Sequence, residues 1–160
     1  MPIANDSSPR AIAGRNCCRC VSVPNRSNSG PERYLSSFAL LLELIRAVSK
    51  DPGERAAATV GRLVAHLATL RQMSLSVALM LEAGENPNLE AAVVKDVGTT
   101  FEQEVPEVVH ALLGIEPTID SGSDLQQVLG FLMQRAPSFS LRGGTREILR
   151  GIIARGLGLR

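Results

Sequence analysis

The residues best placed for chemistry lie near the C-terminal end, in Arg142-Gly143-Gly144-Thr145-Arg146-Glu147-Ile148-Leu149-Arg150. A glycine pair lets a ligand approach the backbone closely. Thr145 stands where a helix N-cap belongs. The free N–H groups behind it, with the helix dipole, favour a phosphate or an electron-rich ring. An ordinary capped terminal helix would carry the same pattern, so the block alone does not choose between ligand contact and simple capping.

Other candidate constellations are weaker. Cys17, Cys18 and Cys20 crowd into one short stretch. A zinc site takes four ligands, usually as two spaced pairs, and no His or fourth Cys lies nearby. Three free thiols are expected. The odd number argues against an extracellular disulfide framework, which points to a reducing, cytoplasmic compartment. His66 and His110 fall beside the apolar seams of two helices, without the Glu-x-x-His accompaniment of a bundle metal site. They read as interfacial polar residues. No nucleophile triad and no nucleotide-fold glycine pattern is visible.

The elements that position these residues are helical. The chain has 160 residues, a length suited to one domain. Hydrophobic residues make up 44% and aromatic residues only 3%, with no Trp and one Tyr, which favours helix packing over a sandwich. The net charge of +1 gives no basic surplus for a polyanion, so nucleic acid is not an expected partner. No apolar run approaches the ~18 residues of a bilayer span.

Charge is uneven along the chain. Residues 1–33 hold Arg10, Arg15, Arg19, Arg26 and Arg33 against Asp6 and Glu32, amid Ser, Asn, Pro and Gly. The stretch lacks an apolar period and is expected to be a disordered tail. It has no apolar core for a secretory signal. Its Arg- and Ser-rich balance is faintly like a transit peptide, but Cys, Pro and Asn interrupt any amphipathic helix.

From residue 34 helical periods take over. Tyr34, Phe38, Leu41, Leu42 and Ile45 mark a first helix, with Pro31 able to open it and an end near Lys50. Asp51-Pro52-Gly53-Glu54 predicts a restart with Asp51 as cap and Glu54 within reach of a capping box. A helix of around thirty residues follows, with Val60, Leu63, Leu67, Leu70, Ser74, Val77 and Leu81 as its seam. The breakers Gly84 to Asn88 then lead into a third helix, residues 89–113, with Val94, Val97, Phe101, Val105, Val108 and Leu112 along one side. Pro106 inside it deprives the Glu102 carbonyl of its donor and predicts a kink. Gly114 closes it in left-handed fashion. A loop over 115–123, a Ser123–Gln126 capping box, a helix ending before Pro137 and a last helix from Thr145 complete the pattern. Two long helices joined by a short turn must lie antiparallel. The fold class is all-α, an antiparallel bundle of four to five helices over residues 34–160.

The terminal block closely resembles the end of acyl-CoA dehydrogenases, where Gly-Gly-Thr-x-Glu-Ile precedes an Arg and an Ile-Ile-Ala-Arg helix. Leu41-Leu42-Glu43-Leu44, Asp51-Pro52, the helix from Arg62 to Met80, and Ala91 to Leu113 with Lys95 extend the resemblance over residues 39–160. It implies the helical C-terminal domain of that family, which is one of three domains around an FAD and an acyl-CoA. It also implies that Gly144, Thr145 and Glu147 contact the flavin of a neighbouring subunit. The family's catalytic Glu, where it precedes the Gly-Thr, is replaced by Gly143, which accepts no proton. No catalytic residue is therefore assigned. Ile115 to Asp120 stand in place of a glycine loop at the flavin pyrophosphate, and the Arg-x-x-Phe-Gly flavin stretch is missing. Two expectations follow. One is a truncated or partner-dependent subunit, inactive alone, in a homo- or hetero-oligomer with acyl-CoA dehydrogenase-like chains. The other is a non-catalytic helical interaction module.

Overall fold

A computed structural model describes residues 36–159. The tail over 1–33, its three cysteines, and the Pro31–Tyr34 helix opening lie outside the described residues. Among those described there are five helices and no strand: α1 (Phe38–Val48), α2 (Glu54–Glu82), α3 (Asn88–Leu113), α4 (Asp124–Phe139) and α5 (Arg146–Gly156). α3 is the hub. It packs on α1, α2, α4 and α5, whereas α2 touches only α1 and α3.

α1 is shorter than its apolar pattern predicts, because Ser36 and Ser37 form a turn and the helix begins at Phe38. Its buried face is Leu40, Leu41 and Leu44, while Phe38 and Leu42 are partly exposed. The face is turned from the expected one because α1 is wedged among three helices rather than laid on one. Ser37 does not cap α1 with its side chain. Its buried hydroxyl donates instead to the Glu102 carbonyl on α3 at 3.0 Å. That carbonyl is the one Pro106 leaves without an N–H donor, so a serine from another helix replaces the bond. α3 continues through Pro106 to Leu113, and Gly114 closes it in the left-handed conformation.

The Asp51 cap is not formed. Gly53 occupies the N-cap position in extended conformation, and no side chain caps α2. Asp51 lies too far upstream once the helix starts at Glu54. α2 then runs for 29 residues, about 44 Å at ~1.5 Å per residue. It passes for a bilayer span by length and composition alone, and one such helix does not indicate a membrane span. Its inner face, Leu63 and Leu70, packs in the core, and Arg62, His66, Arg71 and Gln72 interrupt it.

The capping box of α4 forms with both arms, Ser123 and Gln126 each accepting from the other's backbone N–H. α4 runs through Pro137 to Phe139, past the expected stop. A proline in the last turn removes one hydrogen bond, and burial of Phe139 in the core offsets it. The preceding loop lies close on α4. A Cβ at Gly130 would sit 2.3 Å from the Thr118 carbonyl oxygen, so only glycine admits the loop there.

Candidate functional site

The site is the turn between α4 and α5, seated on α3. Phe139 anchors the end of α4, and the Arg142 guanidinium lies over its ring, 4.4 Å from the centroid. Lys95 of α3, 7% exposed, donates from Nζ to the Arg142 backbone carbonyl. Gly143 and Gly144 follow, with φ of 68° and 119°, values that side chains on L-residues rarely adopt. A Cβ on Gly144 would meet only Leu149 Cδ2 and Lys95 Nζ, both at 3.9 Å. Beyond the turn, Leu149 is buried and fixes α5 to the bundle.

Charge holds the start of α5 in place. Asp96 of α3 faces Arg146 Nε and Arg150 Nε, each at 3.6 Å. Arg146 also donates to the Thr100 hydroxyl. Asp96 and Thr100 are one helical turn apart, as are Arg146 and Arg150, so two ladders of matching pitch meet where α5 lies on α3. Asp96 Oδ1 and Arg146 Nε are both buried and lie just outside hydrogen-bond distance of each other. Farther along α3, Thr99 and Glu102 join Lys95 as buried polar residues on one face.

Thr145 occupies the N-cap position of α5, but its hydroxyl makes no capping bond to the helix N–H groups. The expected cap does not form: Thr145 holds the position without its side-chain bond. The Thr145 hydroxyl, then Glu147's own backbone N–H, hold the Glu147 carboxyl below its ordinary range. Desolvation opposes this, and Arg150 and then Arg146 add smaller lowering effects. Glu147 itself is fully exposed. Of the three expected contact residues, Glu147 is exposed and Gly144 and Thr145 are half-buried, in a turn pinned to α3 through Arg142 and Arg146.

Sequence reasoning missed Asp96, Thr100, Arg142, Arg146 and Arg150 as the residues that hold this turn. Their only signal was spacing of four on each segment, which reads as solvated charge until the two helices are known to meet. His66 packs edge-on against Phe101 of α3, ring centroids 4.8 Å apart. Among the described residues no group of three His, Cys, Asp or Glu is close enough to hold a metal ion.

A five-helix bundle with a glycine-opened, arginine-bearing helix start on its surface defines a class of domain. Residues 54–158 match the family described as acyl-CoA dehydrogenase, C-terminal domain, and the chain belongs to that family. No curated protein matches the sequence significantly. Among solved structures, a variant of the "Tcur3481-Tcur3483 steroid ACAD" superposes with a TM-score of 0.64 at 20% identity. The match covers 81% of this chain and 37% of that one. At that identity the likeness is one of fold, and this chain spans about a third of the neighbour's length.

Proposed function

We propose that this chain is a partner-dependent subunit of the acyl-CoA dehydrogenase type, taking part in FAD-linked oxidation of an acyl-CoA thioester and inactive alone. The family is flavin-dependent in general. The observation that carries the reading is the turn over residues 143–147, held from within by Lys95, Asp96 and Thr100 and open outward.

The residues present fit an edge contact to FAD. A positive-φ glycine at 144 leaves the backbone approachable, the start of α5 offers its N–H dipole, and Arg142, Arg146 and Arg150 supply positive charge. When bound, the flavin supplies the hydride acceptor of the reaction. In this assignment Gly144 and Thr145 present backbone, and the exposed carboxylate of Glu147 accepts hydrogen bonds. Gly143 stands where a catalytic carboxylate would remove the substrate α-proton, and a glycine holds no proton there. The base and the rest of the flavin site come from a different, acyl-CoA dehydrogenase-like subunit, since further copies of this chain carry the same Gly143, and the compartment is cytoplasmic.

The test is thermal stability with added FAD, for wild type and Glu147→Ala, with and without a full-length FAD-loaded acyl-CoA dehydrogenase. The expected result is no shift alone, an increase with the loaded partner, and its loss in Glu147→Ala. If the loaded partner shifts nothing, the chain is a non-catalytic interaction module instead.

A further inference from the structure

Lys95 is a cation taken out of water on α3, and its Nζ donates to a main-chain atom, the Arg142 carbonyl. Burying an ammonium is costly unless it is hydrogen-bonded, so this contact is built into the packing rather than laid on the surface. A Cβ on Gly144 would lie 3.9 Å from the same Nζ, which places the ammonium beneath the glycine pair.

The next residue of α3 serves the other end of the turn. Asp96 faces Arg146 and Arg150, and Thr100 accepts from Arg146. Consecutive helical residues point about 100° apart, so Lys95 and Asp96 reach two separate points of one passing strand. Only Gly143, Gly144 and Thr145 lie between those points. Both glycines have positive φ and, without a Cβ, little preference of their own for one conformation. Their placement therefore depends on how the ends are held.

The two ends are held differently. At 146 the grip is on a long side chain, 31% exposed, whose flexible stem leaves the backbone slack. At 142 it is on the carbonyl itself. That carbonyl shares one planar, trans peptide with the Gly143 N–H, and the two point in opposite directions. Drawing the oxygen toward Lys95 turns the Gly143 N–H away from it. The Arg142 side chain is held separately, over the Phe139 ring and by donation to the Ser36 hydroxyl at 3.5 Å.

We propose that Lys95 is the positioning residue of the turn over 143–147: by holding the Arg142 carbonyl it aims the Gly143 N–H away from α3 and fixes the glycine pair. The proposal deepens the reading above and rests on it for what the turn meets.

The experiment is measurement of backbone amide order parameters by NMR on the full chain alone, for wild type, Lys95→Met and Arg142→Ala. Wild type is expected to show Gly143, Gly144 and Thr145 as ordered as the helices, at ~0.85. In Lys95→Met these three fall below ~0.6 while α3 and α5 keep their order. Arg142→Ala keeps the carbonyl and leaves the turn ordered. With the FAD-loaded dehydrogenase, Lys95→Met also loses the thermal stabilisation expected of wild type. Mobile glycines in the wild type overturn the proposal without recourse to any variant. So does an unchanged turn in Lys95→Met, an equal loss in Arg142→Ala, or a loss spread through α3 and α5, which would mark general support of the fold. Because the order parameters need no cofactor, ordered glycines in a wild type indifferent to the loaded partner would sink the flavin reading while supporting the clamp.

Discussion

Two surfaces of the long helices invert the usual arrangement of a globular protein. Where α3 meets α5, the contact contains Lys95, Asp96, Thr100 and Arg146, polar groups half or wholly withdrawn from water. On the outer side of α2, leucines stand in water. Burying charge is costly unless it is paired, and exposing a contiguous apolar face is a signature of surfaces that meet other molecules. The polar seat is paired within the chain, because α3 and α5 carry opposite groups at the same pitch. The apolar face has no counterpart among the described residues. The difference is that one surface finds its counterpart among the described residues and the other does not.

Truncating a leucine on each surface breaks that comparison most sharply. Leu149→Ala, which empties the core contact of α5, is expected to cost roughly 2–5 kcal/mol in denaturant unfolding. Leu79→Ala, measured at concentrations where the chain is monomeric, should cost under ~0.5 kcal/mol, as exposed substitutions do. Similar losses at the two sites would mean that α2 is covered in the monomer.

A smaller effect probes the polar side of α3. Ser37→Ala leaves the Glu102 carbonyl without the donor that replaces Pro106's missing N–H. Unfolding should show a loss of about 1–3 kcal/mol, the range for an orphaned buried acceptor. Pro106→Ala in the same background supplies the helical N–H and should recover part of it.

Asp96→Asn keeps the shape of the seat but removes the charge facing Arg146 and Arg150. These pairs are partly exposed and lie at 3.6 Å, so a loss of no more than about 1 kcal/mol is expected, shrinking in high salt. A salt-independent loss would indicate that Asp96 acts by packing.

Thr145→Ala should have the smallest effect on stability, under ~0.5 kcal/mol, because no capping bond is lost. Its signature is electrostatic. The folded Glu147 pKa lies below the unfolded one, so the carboxylate's contribution is present above the unfolded value and lost as pH falls through the folded value. Removing the hydroxyl should raise the Glu147 pKa toward the ordinary carboxylate range in an NMR titration. An unmoved pKa would assign the shift to the backbone and arginines.

The fold was legible where a local rule and the tertiary environment agree. Ser123 and Gln126 form their box because both partners lie within one turn, and Gly114 closes α3 for the same local reason. Asp51 failed as a cap because α2 starts with Gly53 at its N-cap, two residues later. Pro137 failed as a stop because Phe139 beyond it finds a place in the core. The block at Gly144, Thr145 and Glu147 could be located from residue types alone. The groups that seat it could not, since Lys95 and Asp96 lie some fifty residues away from it and acquire meaning only through α3–α5 packing. The Thr145 position was legible as an N-cap, but its side-chain bond does not form.

The central claim is that the turn over 143–147 is the surface this domain presents to a flavin held by another subunit. Amide hydrogen exchange tests it most directly, comparing the chain mixed with FAD-loaded and with FAD-stripped acyl-CoA dehydrogenase. Protection common to both mixtures reports subunit contact, and the difference between them reports the flavin. The account predicts extra protection in the loaded mixture confined to residues 143–150, with α2 indifferent to the cofactor. Identical exchange of that turn in the two mixtures would contradict it.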